Sequence, residues 1–302
     1  MKLIRFAIAA TVIAVSILLT VPRITLADEP ANGPVAELAS ASQANDPYID
    51  RQWALEQIPS MPTSTNEILI AVLDTGIDLN HEDLAGKVVE SVNFSSSKTE
   101  EDVNGHGTHI AGIIAADRNN GIGITGAAQN VKLLNVKIAE DNGTVWASNV
   151  AKGIIWATDN GARVINMSLA VPSKFQPLED AVKYAWDHGV VLVAAAGNNV
   201  KSVTYPVGYP DVIGVAANNP DGTVWTGSND GDYVDVYAPG VEILSTLPGN
   251  KYGFLSGSSM STAYVSAVAA QTFNQVTDTD EDGFCNDEVT ELVKTLFTPP
   301  IK

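Results

Sequence analysis

The sequence predicts an α/β fold, a single doubly wound domain whose mostly parallel sheet is flanked by helices. Three observations carry that expectation. Short apolar runs of strand length recur at Ile68–Leu73, Val131–Ile138, Arg163–Leu169, Val190–Ala196 and Val212–Ala216. Helix-length patterns lie between them at His106–Ala116, Val145–Asn160 and Gln176–His188. Continuous Val/Ile/Leu strands alternating with amphipathic helices belong to parallel sheets covered on both faces. The length of 302 residues, 45% of them hydrophobic, is enough for one large core.

Taken in order, residues 1–27 have the features of a secretory signal. Lys2 and Arg5 supply a positive start, Phe6 to Val21 is uncharged and largely apolar, and Thr25-Leu26-Ala27 offers a small-residue cleavage site. An uncleaved anchor is the alternative, and it is the only membrane contact expected. Residues 28–45 are rich in Ala, Ser, Pro and Gly without periodicity, which is the composition of a linker. The globular pattern runs from Asp46 to residue 302. Residues 220–257 alternate short strands with Gly turns and predict a hairpin near the active face. No internal repeat is present.

The formal net charge is −18, and loss of residues 1–27 removes three of the 17 basic residues and none of the 35 acidic ones. Such a chain has no basic stripe to neutralise phosphates, so nucleic acid is not an expected partner. Cys285 is the single cysteine, which excludes an internal disulfide.

The first chemical motif is "VLDTGID", where an apolar strand delivers Asp74 to its carboxyl end, the edge at which open α/β sheets bind ligands. Taken alone it suits an aspartic protease, the acid of a Ser-His-Asp hydrolase, or a plain turn. No second Asp-Thr/Ser-Gly follows an apolar strand, which disfavours the first. Two of the four histidines fall in "NGHGTHIAG", His106 and His109. A zinc site needs three or four ligands, and His81, His188 and Cys285 form no matching cluster. The remaining reading makes His106 a general base at a helix start. Gly105 and Gly107 would keep side chains clear of a substrate, and His109 would pack one turn on. In "LSGSSMSTAYVSAVAA" a Gly-Ser-Ser-Met turn enters a helix of small residues. Ser259 there is either an N-cap or a nucleophile held at a fixed depth.

The order Asp74, His106, Ser259 is that of subtilisins. The stretches "VLDTGID", "NGHGTHIAG", "SGSSMSTAYV", "VINMSLA" and "VLVAAAGNN" all resemble subtilase motifs. The chain is thus similar to the subtilisin-like serine proteases from about Asp46 to its end. Its "NDPYIDRQWAL" resembles the N-terminal entry of the thermitase-like branch.

The resemblance implies a secreted, monomeric endopeptidase with a catalytic domain at 46–302, acting on protein or peptide substrates. It implies Asp74, His106 and Ser259 as the triad and Asn198 as an oxyanion-hole donor. Substrate would lie extended along Ser168, Leu169 and Ala170, with Ala196 and Gly197 nearby. Asn142 to Trp146 would form the opposite edge, with Trp146 either lining an outer pocket or packed inside. Calcium is the implied cofactor. Asp46 and Asp83 would give carboxylates, Asn120 its side chain, and Arg118, Ile122 and Ile124 carbonyls, a hard-oxygen set suited to Ca²⁺. Asp278, Asp280 and Asp282 match the first half of an EF-hand-like loop set between two helices, although its twelfth position is Val289.

Three departures from the family stand out. Ala263 occupies the place of a proline, often cis, four residues after the nucleophile. A cis bond to another residue is costly, so a rebuilt or strained turn is expected there. Ala170 replaces a common glycine, and its methyl narrows the cleft. The stretch between Ala27 and the core is short for the family's folding prodomain.

Overall fold

The computed structural model describes residues 45–62, 66–199 and 202–297. The expected signal segment and all but the last residue of the expected linker lie outside them. Among the described residues, no helix is long and apolar enough to cross a membrane.

Seven strands form one sheet. They are β1 (Ile68–Asp74), β2 (Val88–Asn93), β3 (Val131–Lys137), β4 (Val164–Met167), β5 (Val191–Ala195), β6 (Val212–Asn218) and β7 (Val236–Pro239). Their order is β2-β3-β1-β4-β5-β6-β7, and every neighbouring pair is parallel. The helices are α1 (His106–Ala115), α2 (Ala147–Asp159), α3 (Gln176–Trp186), α4 (Ser258–Thr272) and α5 (Asn286–Leu296).

Strand periodicity explains the layering. In β1, Ile70 and Val72 face a core shared with α1, α4 and α5, where Ile110, Ile114, Val265 and Val293 are buried. Ala71 and Leu73 point the other way, into a core with Val150 and Ile154 of α2 and Leu178 and Val182 of α3. Alternate side chains of a strand leave on opposite faces, so a strand apolar throughout can bury both. The predicted doubly wound α/β architecture is therefore present.

The strand order reverses at β1, which has the earlier strands on one side and β4 on the other. A crevice opens beside the strand ends at such a reversal, and Asp74 is the last residue of β1. Three details differ from expectation, the first being β2, which none of the predicted apolar runs covers. The segment 220–257 supplies a seventh sheet strand, β7, in addition to the hairpin, whose strands are β8 (Ile243–Leu247) and β9 (Lys251–Leu255). The turn expected to be rebuilt at Ala263 is absent. Helix α4 runs unbroken through that position, and the Ala263 methyl is buried in the core.

Candidate active site

Asp74 and His106 meet at the carboxyl end of β1. His106 Nδ1 lies 2.7 Å from Asp74 Oδ1, which also accepts the Thr75 amide at 2.8 Å. Asp74 is buried, whereas the His106 side chain keeps 17% of its surface open on the crevice. Burial works against a charged imidazole. The Asp74 carboxylate, by charge and by hydrogen bond, and the Asp102 charge behind it outweigh that, so His106 is held above its ordinary value. With Nδ1–H given to Asp74, Nε2 of the neutral ring is the free base.

The glycines around His106 serve a different purpose from the one expected. A Cβ on Gly107 would lie 2.1 Å from the Gly76 carbonyl oxygen and 3.2 Å from Asp74 Oδ1. This glycine lets α1 touch the turn after β1, so it faces the interior and not a substrate. Gly105 adopts φ 103 as the N-cap of α1.

His109 is a packing residue. Its Nε2–H faces the carbonyls of Ile243 and Gly253, each at 3.1 Å, and ties α1 to the β8–β9 hairpin. Burial first, and then the charge of His106, push it down to about 3, so the ring stays neutral.

Ser259 stands in the first turn of α4. Its hydroxyl donates to the Ser168 carbonyl at 3.2 Å, and the Ser168 hydroxyl donates back to the Ser259 carbonyl at 2.8 Å. The β1–β4 register pairs Val72 with Asn166. Both strands run out at the same sheet edge, so the Ser168 backbone that Ser259 contacts follows β4 at the edge where Asp74 ends β1. In this resting arrangement the Ser259 proton is directed at the end of β4.

Asn198 follows β5 and lies beside the same turn. Its Oδ1 accepts from the Ser258 amide at 3.0 Å and the Ser258 hydroxyl at 3.1 Å. That fixes the amide plane and sets Nδ2 close to Gly257, 3.2 Å from where a Cβ there would stand. The Ser259 N–H, among the first amides of α4, has no helical carbonyl four residues back.

The two segments expected to flank substrate differ in burial. Leu169 is buried and Ala170 half-buried, and the Ala170 Cβ lies 3.6 Å from where a Cβ on Gly197 would stand. The Ala196 carbonyl accepts from Asn229 Nδ2 and Thr204 Oγ1, and the Gly197 carbonyl accepts the Asn229 amide. These two residues serve to place Asn198. On the opposite side, Ala139 and Val145 form an antiparallel bridge around the 140–144 turn. Trp146 is 41% exposed at the end of that turn, so it is not a packing residue.

The sequence reading missed Asp102, which is buried behind His106 among five donors from Thr75, Asn104, Gly105 and Thr108. In "TEEDVNG" it reads as part of a solvated acidic run. The only available cue was its position four residues before His106.

Both carboxylates of the first candidate calcium site converge on the 118–125 loop. Asp46 accepts the amides of Asn119 and Asn120, each at 3.1 Å, and the Thr125 hydroxyl. Asp83 accepts Asn120 Nδ2 and the Ile124 amide, each at 2.8 Å. Asn120 Oδ1 accepts the Ile122 amide, and Arg118 is exposed. Neither aspartate has an ion pair among the described residues. Burial pushes the Asp83 carboxyl up despite the hydrogen bonds from Ile124 and Asn120. Both acids are buried without a cation and are met by N–H and O–H donors, so a hard divalent ion bound there would replace those bonds with loop oxygens.

At the second site Asp278 and Asp280 group with Glu288. Asp282 accepts the Phe284 amide, and Val289 is buried.

Comparison with known proteins places this geometry in context. Residues 65–295 match the model of the subtilase family. The thermophilic serine proteinase of Bacillus sp. (strain AK1) is 47% identical over 208 residues, covering 68% of this chain but only 52% of that protein. Thermitase of Thermoactinomyces vulgaris is 41% identical over 238 residues, 76% of this chain and 85% of thermitase. Among solved structures, a cold-adapted subtilisin-like serine proteinase superposes with a TM-score of 0.71 at 29% identity, covering 80% of this chain and 90% of its own.

Proposed function

The chain belongs to the subtilase family, and from that premise we propose that it is a secreted serine endopeptidase that hydrolyses extended polypeptides through an acyl-enzyme. The observation that carries this reading is the 2.7 Å contact between His106 Nδ1 and Asp74 Oδ1, with Nε2 left as a base.

Catalysis begins when the Ser259 hydroxyl turns from the Ser168 carbonyl to His106 Nε2, a side-chain rotation that bound substrate favours. Catalytic hydrogen bonds are often loose before substrate arrives. Oγ attacks the peptide carbon while Nε2 takes its proton, and Asp74 stabilises the imidazolium without being protonated. The carbonyl oxygen becomes an oxyanion between Asn198 Nδ2 and the Ser259 amide. Collapse breaks the C–N bond, His106 returns the proton to the departing amine, and water repeats the sequence on the ester.

Substrate lies as an added strand between Ser168-Leu169-Ala170 and the Asn142–Trp146 edge. Main-chain pairing of this kind gives affinity with little side-chain demand, which supports broad specificity. Ala170 beside Gly197 narrows the primary pocket.

Calcium would be held by Asp46, Asp83 and Asn120 with carbonyls of Arg118, Ile122 and Ile124. It would supply positive charge to two buried carboxylates and cross-link the start of the domain to the loop. A second ion would take Asp278 and Asp280, joined by Glu288 or Asp282. The enzyme acts as an extracellular monomer.

An active-site serine phosphonate probe tests the assignment. Labelling of wild type, abolished in Ser259→Ala, is expected. Absence of labelling in folded wild-type protein would favour a catalytically silent binding protein of the same fold.

A further inference from the structure

We propose that Asp102 is a positioning residue that locks the carboxylate-bearing turn after β1 to the histidine-bearing start of α1. The proposal rests on the peptidase reading above and deepens it.

Asp102 is 6% exposed and has no ion pair among the described residues. A buried carboxylate without a cation is costly unless its lone pairs are filled. Here they are. Oδ1 accepts the Thr75 hydroxyl at 2.9 Å, the Asn104 amide at 3.0 Å and the Gly105 amide at 2.8 Å. Oδ2 accepts the Thr108 amide at 2.9 Å and the Thr108 hydroxyl at 2.7 Å.

All of these donors flank a triad member. Thr75 follows Asp74 and gives its own amide to Asp74 Oδ1. Its hydroxyl, having donated to Asp102, accepts the Gly107 amide at 2.9 Å. Asn104 and Gly105 precede His106, and Thr108 follows it by two residues. The chain of contacts therefore runs from Asp74 through Thr75 to Asp102, and from there to both sides of His106.

A helix cap alone does not account for this arrangement. Capping needs bonds to the first amides of α1, and Asp102 provides them for a helix whose N-cap residue, Gly105, has no side chain to do so. Thr75 lies outside α1, on the turn after β1, and its hydroxyl both donates to Asp102 and accepts the Gly107 amide of α1. It joins the acid-bearing turn to the base-bearing helix, and the Gly107 approach to Gly76 leaves no room for a looser fit. The charged or titratable groups around the imidazole are Asp74 on β1, Asp102 on the preceding loop and neutral His109 on α1. Removing the Asp102 charge therefore takes away one of the two carboxylates that favour the imidazolium.

The test is a set of variants of the full protein. Asp102→Asn should lower kcat by roughly 10- to 100-fold, because small misplacements of catalytic groups cost that much, with KM nearly unchanged. Its kcat/KM acid limb and the His106 ring titration, followed by NMR, should both move to lower pH. Thr75→Val, which keeps the charge but cuts the bridge, should lower kcat without moving the limb, and Thr75→Ser should restore it. The proposal is overturned if Asp102→Asn retains kcat within about twofold and His106 titrates as in wild type. It is also overturned if Thr75→Ser rescues nothing. Should Asp102→Asn fail to fold, the Thr75 pair decides. Failure of the peptidase reading looks different: wild type itself would not cleave peptide, while the ring titrations would still report on Asp102.

Discussion

Asn198 and Ser258 are locked together, the Asn198 side-chain oxygen taking both the amide and the hydroxyl of Ser258. The residue that fixes Asn198, the proposed oxyanion donor, therefore immediately precedes Ser259, the proposed nucleophile. Asn198→Ala should reduce kcat about 10²–10³-fold with little change in KM, since a side-chain oxyanion donor is worth about 3–4 kcal/mol, a value obtained on subtilisin itself. Ser258→Ala keeps the amide bond and loses the hydroxyl, so a decrease of about tenfold is expected. Steady-state kinetics on a peptide amide reads both, and an Asn198→Ala enzyme as fast as wild type would remove Asn198 from the reaction.

The pH dependence follows from the Asp74–His106 pair. Because the ring is held above its ordinary value, kcat/KM should rise with pH through a point higher than that of a free imidazole. Stability has the opposite sign. A histidine with a raised folded value contributes stabilisation that is complete below its unfolded value and is lost as pH passes the folded one. Asp74→Asn should shift the limb down and cut kcat by about 10⁴-fold, as the wrong tautomer does in other triads. A limb at the same pH in Asp74→Asn would contradict the assignment of the base.

Much of this was legible in the sequence because physics is local there. Apolar runs gave β1 and β3–β6 to within a few residues, and the stretches around the proposed triad residues carried their own small-residue context. What stayed hidden depends on distant packing. β2 is an edge strand, half polar and partly exposed, with a register irregularity between Val88 and Glu90, so it presents no apolar run. Asp102 and Lys137 look like surface charges, yet both are buried. Lys137 Nζ finds the Glu101 carbonyl and the Asp141 carboxylate, partners a linear reading does not bring together. Ala263 illustrates the reverse case, where an expected strain vanished because alanine simply continues a helix.

The closeness of α1 to the turn after β1 makes Gly107 sensitive to a single methyl. Gly107→Ala would put Cβ against the Gly76 backbone oxygen, and a backbone atom cannot swing aside as a side chain can. Overpacking of this kind costs about 2–3 kcal/mol, roughly a 5–10 °C lower melting temperature for a domain of this size. Activity should fall with it, since the clash lies between the turn after Asp74 and the first turn of the helix that begins with His106. A Gly107→Ala protein with wild-type melting and kinetics would mean the two elements are more loosely joined than the contact requires.

Calcium removal and return provide the last prediction, and the pH dependence of the calcium response bears on the first metal site. A carboxyl whose folded value is raised, as burial raises Asp83, holds its proton more tightly in the fold than in the unfolded chain. Without a cation the fold therefore loses stability as pH climbs from the unfolded value through the raised one. A bound divalent ion offsets that loss wherever Asp83 is ionised, and at a concentration of 100 Kd it contributes about 2.7 kcal/mol. Calcium added back to protein stripped with EGTA at neutral pH and then freed of chelator should therefore raise the melting temperature strongly at neutral pH and much less at about pH 4, close to the ordinary carboxyl value. Asp83→Asn should remove most of the response, and Asp278→Asn with Asp280→Asn should remove a separate part if the acidic loop is also filled. Equal melting curves with and without EGTA at neutral pH would leave Asp46 and Asp83 as carboxylates satisfied by the 118–125 loop alone.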